Sequence, residues 1–141
     1  MDKFMPIQRA CVIMMVLFGL LAVVQVLVLV GVVPMSIVWG GQLDNSDDAP
    51  MFFIAPLFVG LALLALVAFA LLVALRAGWL GRTNKLYRYS HYFMWLQVFY
   101  FALNTVGNLA AQSGTETLLF TPVSVALCLL ALRLALRKPS L

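Results

Sequence analysis

Charge is what this chain has least of. Nine basic and five acidic residues in 141 amount to 10%, where a soluble domain carries roughly 25%. So few charges cannot cover a water-facing globular surface, which argues against an ordinary soluble enzyme. The net charge of +4 does not mark a nucleic-acid partner either. The cations are scattered through short segments beside apolar runs, where orientation signals belong.

Other scarcities narrow the chemistry. No charged side chain falls deep inside an apolar run, so the buried carboxylate or histidine relay of a proton-coupled pump is missing. His91 is the single histidine, and a haem held within one bundle usually takes two axial ligands. Cys11 and Cys128 are the only cysteines. Their helical depths differ by roughly 15 Å at 1.5 Å per residue, while a disulfide needs Cα atoms within ~7 Å. Both are read as reduced, packed thiols. Asp44–Pro50 (D-N-S-D-D-A-P) is rich in oxygen ligands but lacks the glycine and glutamate spacing of an EF-hand, and reads as a solvated turn. No catalytic, metal-ligating or cofactor-binding residue is nominated, and no enzyme activity is expected.

Apolar residues fill the rest. The runs Ala10–Val33, Met51–Leu75, His91–Ala111 and Leu118–Leu136 each approach or exceed the ~20 residues that cross a ~30 Å hydrocarbon layer. They predict an all-α, four-helix integral membrane bundle occupying residues 1–141 as one domain, with the lipid bilayer as its first partner. The first run is too long for a signal-peptide core and no small-residue cleavage site follows it, so it is read as a retained span.

Lys3 and Arg9 precede the first run. Arg76, Arg82, Lys85 and Arg88 lie in the second connection, and Arg133, Arg137 and Lys138 end the chain. The first connection has Asp44, Asp47 and Asp48 but no cation, and the third has only Glu116. The positive-inside rule then places both termini in the cytoplasm. Short loops and the lack of other targeting segments suggest a bacterial cytoplasmic (inner) membrane. Trp39 belongs to the outer interfacial belt. Pro34 is expected to end or bend the first helix. Ser113-Gly-Thr-Glu116 reads as a capping box opening the fourth.

The third run carries the one polar feature of note. At 100° per residue, Ser90, Gln97, Phe101, Asn104 and Asn108 share a face, and Tyr92, Trp95, Phe99, Leu103 and Val106 share the opposite one. Counting from span midpoints, Gln25, Asn104 and Ser124 lie about 5 Å outward of centre, and Asn108 and Thr121 about 10 Å. Gln25, Gln97, Asn104, Asn108, Thr121 and Ser124 therefore form a candidate neutral cluster in the outer half. Two readings stand. One is interhelical hydrogen-bond glue. The other is an amide-lined site or pore mouth for a neutral or zwitterionic solute, a lipid headgroup or an ion.

The segment Ala102–Asn108 (A-L-N-T-V-G-N), Phe120-Thr-Pro122 and Val38-Trp-Gly-Gly41 together resemble a group of small bacterial four-helix membrane proteins without an assigned activity. The resemblance spans most of the chain. It singles out Asn104, Asn108, Thr121 and Pro122 and implies no catalytic or binding residue. In size the chain is also similar to small multidrug exporters, but the membrane-embedded glutamate of their first helix is missing, and Gln25 is the nearest polar residue. Membrane-bound glutathione-type enzymes have a similar size, yet their helical Arg, Glu and Asn pattern is not visible here. The expected role is a non-enzymatic accessory or binding component. The alternative is a small homo-oligomeric transporter or channel. Its protein partner would be a second copy or another membrane protein.

Overall fold

The computed structural model describes residues 6–33, 49–82, 85–111 and 114–137, without the side chains of 49–55, 115 and 116. Pro34, Trp39, the side chains of the Asp44–Pro50 segment and both halves of the predicted capping box, Ser113 and the Glu116 side chain, lie outside that description. Four helices make up the described residues: α1 (Ile7–Leu29), α2 (Ala49–Ala77), α3 (Lys85–Leu109) and α4 (Gly114–Leu136). Three of them contain segments long and apolar enough to cross a membrane: Ile7–Leu29, Pro56–Ala77 and Thr117–Leu136. Helix α3 is the longest but one, at 25 residues, and it falls short on composition because it holds the amide stripe.

The helices differ from the apolar runs at their ends, for a physical reason. Hydropathy and helicity are separate properties, and a helix stops where its backbone finds a cap. Helix α1 starts three residues before Ala10 and ends at Leu29, four short of Val33. Gly31 takes φ +75°, its N–H bonds Val28 O at 3.1 Å, and the Val32 N–H bonds Leu27 O at 2.9 Å. That pair of bonds is a Schellman turn, and it ends the helix before Pro34 is reached. Helix α2 closes in the same way. Gly78 takes φ +79°, with Gly78 N–H on Leu75 O and Trp79 N–H on Ala74 O, both at 3.0 Å. An L-residue in this conformation costs roughly 1–2 kcal/mol. Gly78→Ala is therefore expected to lower stability by about 1 kcal/mol in thermal unfolding, since the Arg82 side chain that a Cβ would meet at 2.9 Å is flexible and exposed.

Side chains meet further carbonyls at the ends of α2, α3 and α4. Thr117 Oγ1 donates to Asn108 O at 2.9 Å, near the end of α3. Gln8 Nε2, at the start of α1, donates to Ala77 O at 2.9 Å. Arg76 Nε donates to Leu134 O at 3.1 Å and its Nη2 to Arg137 O at 2.6 Å, closing α4. At each of the four C-termini, then, some of the orphan acceptors have donors, as a backbone end away from water requires.

The same bonds fix the arrangement. The start of α1 lies beside the end of α2, and the end of α2 beside the end of α4. Cross-contacts Thr105–Ser124 and Cys128–Val98 run α3 antiparallel to α4. We call the end that holds Ile7, Ala77, Lys85 and Leu136 basal, and the other apical. Helix α3 packs most closely on α4 and α1 on α2, while the two hairpins meet more sparsely.

The basal half is the solid part. Ala10, Cys11, Met14, Phe18, Val73, Ala77, Met94, Leu127, Leu130, Ala131 and Leu134 form one buried cluster. Phe18, Phe69 and Phe101 close it apically, with ring centroids 5.6–6.5 Å apart. A smaller cluster stands near the apical end, where Val28 and Val59 are buried and Val24, Leu63 and Phe120 pack against them. Outward faces are apolar on every helix, for example Leu20, Leu64, Phe99 and Leu129.

Candidate functional site

Between the two clusters lies a cavity of about 190 Å³. All four helices line it: Leu21 and Gln25 from α1, Ala62 and Phe69 from α2, Tyr100, Phe101, Asn104 and Asn108 from α3, and Phe120 and Ser124 from α4 among them. The aromatic layer Phe18–Phe69–Phe101 is its floor. Its roof is the Val28–Val59–Phe120 cluster, one turn apical of Gln25 on α1 and of Ala62 on α2. Among the described residues, none that lines it is charged.

Four of the six residues singled out from the sequence, Gln25, Asn104, Asn108 and Ser124, line this cavity. Gln97 and Thr121 do not. Gln97 is fully buried one level below, and its Nε2 donates to Phe69 O at 3.0 Å. Thr121 Oγ1 is buried without a hydrogen-bond partner among the described residues, and the Thr121 carbonyl accepts from Ser124 Oγ at 2.9 Å. On α3 the buried face is Tyr87, Ser90, Met94, Gln97, Phe101 and Asn108, while Tyr92, Trp95, Phe99, Leu103 and Val106 are exposed.

The polar residues divide by what their hydrogen bonds do. Ser124 Oγ accepts from Thr105 Oγ1 at 3.0 Å and from Asn108 Nδ2 at 3.3 Å, and donates to Thr121 O. The single Thr105 hydroxyl hydrogen is shared with Phe101 O at 2.8 Å, so the Ser124 hydrogen is committed to Thr121 O while one of its two acceptor sites is only partly filled. Asn108 Nδ2 also donates to Asn104 Oδ1 at 3.2 Å. Asn108, Ser124, Thr105 and the Gln97 amide nitrogen are thus spent on joining helices, while Gln97 Oε1, below the cavity, has no hydrogen-bond partner among the described residues. Among the residues that line the cavity, Gln25 stands apart. Its Oε1 is buried and has no hydrogen-bond partner among the described residues. A buried amide oxygen left so costs about 1–3 kcal/mol, which a ligand donor would recover.

Helical geometry locates the mouth. Thr105, bonded to Ser124, marks the flank of α3 that faces α4. Tyr100 marks the other flank, its ring edge-on to Phe69 of α2 at 4.9 Å. Asn104 falls between the inward Asn108 and Tyr100. Tyr100 and Asn104 are also lining residues that are exposed. The exposed lining residues Tyr100 and Asn104 thus put the opening of the cavity on the flank of α3 that faces α2.

Sequence reasoning missed Arg76. Taken as an orientation charge in a loop, it lies in the last turn of α2 and is 2% exposed. The described side chains contain no Asp or Glu, so its charge meets carbonyl dipoles at the negative end of α4. Buried Cys11 and Tyr87 sit beside it. The local signal was its place at the end of an apolar stretch, Leu61–Ala77, that holds no glycine or proline before Gly78. His91 is half-buried, its ring 3.9 Å from that of Tyr92, and its Nδ1 has no hydrogen-bond partner among the described residues. Both cysteines are free thiols. Among the described residues, no group of three His, Cys, Asp or Glu could hold a metal ion.

No family model, curated protein or solved structure matches this chain.

Proposed function

We propose that the chain is a four-span protein of the bacterial inner membrane, with both termini in the cytoplasm, that acts by binding and not by catalysis, and that the apical cavity is its site. The cavity carries this reading. It is mainly apolar with a few convergent polar groups, as binding pockets are, and one of those groups, Gln25 Oε1, is an acceptor without a donor.

Membrane insertion of all four helices is supported by α3 itself. It falls below the apolarity of the others, yet it lies flush against α4 from Val98–Cys128 to Asn108–Thr117 and presents Trp95, Phe99, Leu103 and Val106 outward. A helix packed along a membrane span shares its depth. The orientation rests on the nine cations, which fall at the basal end or in the segments adjoining it. In a cysteine-free background, Asn45→Cys is expected to react with an impermeant maleimide on intact cells and Thr83→Cys only after lysis. The reverse pattern would invert the topology.

Native mass spectrometry from native-lipid particles tests the site. A reproducible adduct, lost in Ala65→Phe where the ring fills the cavity, is the expected result. A bare protein, or one carrying only bilayer phospholipid that Ala65→Phe leaves in place, would refute a ligand site there. A second reading, a homo-oligomeric transporter or channel, is favoured by the sparser meeting of the two hairpins. It requires a symmetric oligomer in the same measurement.

A further inference from the structure

The shape and chemistry of the cavity narrow its occupant. Its volume of about 190 Å³ exceeds the ~150 Å³ that holds a benzene, yet falls below the ~300–1,000 Å³ of pockets that enclose a whole drug-sized ligand. It takes a head of a few heavy atoms and leaves the rest of a larger molecule outside. Outside the mouth, between α2 and α3, the surface is Phe58, Leu61, Leu96 and Leu103, all exposed. What emerges there must be apolar.

The head is taken as uncharged, because none of the described residues that line the cavity is charged and a buried ion without a partner is strongly disfavoured. It must also donate a hydrogen bond. Ser124 Oγ and Asn104 Oδ1 each accept from Asn108, whereas Gln25 Oε1 is the buried oxygen among the lining residues with no donor among the described residues, and a turn of the Gln25 amide presents it to the cavity. The Asn104 amide nitrogen, on the exposed flank, is placed to meet an ester or hydroxyl oxygen as the molecule enters.

We propose that the cavity takes the hydroxyl-bearing head of a neutral, single-chained amphiphile of the monoacylglycerol class, entering sideways from the bilayer between α2 and α3 with its chain left along that seam. The proposal rests on the reading of the cavity as a ligand site and adds the ligand class and the route.

Photolabelling tests it. The whole protein in phosphatidylcholine nanodiscs is exposed to a monoacylglycerol bearing a diazirine near the ester end of its chain, with the matched fatty acid as an anionic control. The expected label is saturable and maps to the α2 and α3 residues at the mouth, around Ala62, Ala65, Tyr100 and Asn104. It exceeds fatty-acid labelling there at least fivefold. Gln25→Met, which keeps the side-chain volume and removes the acceptor, lowers it about fivefold, and Ala65→Phe abolishes it. Both variants must first show the wild-type elution and melting profile. If one fails this, the other decides. Label spread over outward residues such as Leu64, Val67 and Phe99, unmoved by either variant, overturns the proposal, as does equal labelling by the fatty acid. If the native adduct is present and sensitive to Ala65→Phe while monoacylglycerol does not label, the site stands and the ligand class falls. If both are absent, both fall.

Discussion

Replacing Arg76 by Met is expected to be among the most destabilising single changes in this protein, costing about 3 kcal/mol. The guanidinium is buried and donates to Leu134 O and Arg137 O. Hydrogen bonds from a charged donor contribute about 1.5–3 kcal/mol each, and the variant loses both. Methionine fills similar apolar volume, so the loss reads the bonds and not a cavity. Arg76→Lys separates this role from orientation. Lysine keeps the positive charge that the positive-inside rule counts, but its point charge cannot span two carbonyls as the planar fork does. It is expected to insert in the wild-type orientation and still lose about half of the stabilisation. Arg82→Met, at an exposed position, is the control and should melt within a degree or two of wild type. If Arg76→Met unfolds in parallel with Arg82→Met, the clamp between α2 and α4 contributes little and the basal end is held by apolar packing alone.

The clamp also shows where reading from sequence stops. Four helices, their antiparallel neighbours and the inward face of α3 follow from run length and a 3.6-residue period, because both signals are local. The helix ends did not follow. Val30–Val33 is as apolar as the residues before it, but Gly31 relaxes into the left-handed region and closes α1. Lys85–Ser90 reads as loop by charge, although it is the first turn and a half of α3. Arg76 was legible as a cation beside a span and not as a cap on α4, since its acceptors lie 58 and 61 residues further on. The same limit divided the polar stripe. Depth counting put Gln25, Asn104, Asn108, Thr121 and Ser124 near one level, and four of them do line one cavity. Which amides bond each other and which is left over depends on azimuth between helices, which no single-helix projection contains.

That division yields opposite expectations for two asparagines one turn apart. Asn108 is nearly buried, 8% exposed, and spends both amide hydrogens, on Asn104 Oδ1 and Ser124 Oγ. Asn108→Leu removes a link between α3 and α4 and leaves the Ser124 hydroxyl short of a donor. Interhelical polar contacts in membranes contribute about 0.6–2 kcal/mol, so a loss of about 1–2 kcal/mol in unfolding is expected, with the adduct weakened only as far as the fold is. Asn104 is exposed on the mouth-facing flank and its one side-chain bond is to Asn108. Asn104→Leu is expected to change stability by less than about 0.6 kcal/mol, the mean contribution of such contacts, while removing most of the bound adduct. A ligand interaction of about 1.4 kcal/mol corresponds to a tenfold change in affinity, so the binding loss should be near tenfold. If the two variants instead lose stability equally and the adduct survives in Asn104→Leu, the stripe is packing throughout and the cavity holds nothing that Asn104 recognises. If Asn104→Leu abolishes the adduct with the melting profile intact, the stripe serves two purposes along one helix face. Asn108 then joins helices that must stay together for Asn104 to meet a ligand at the seam where they part.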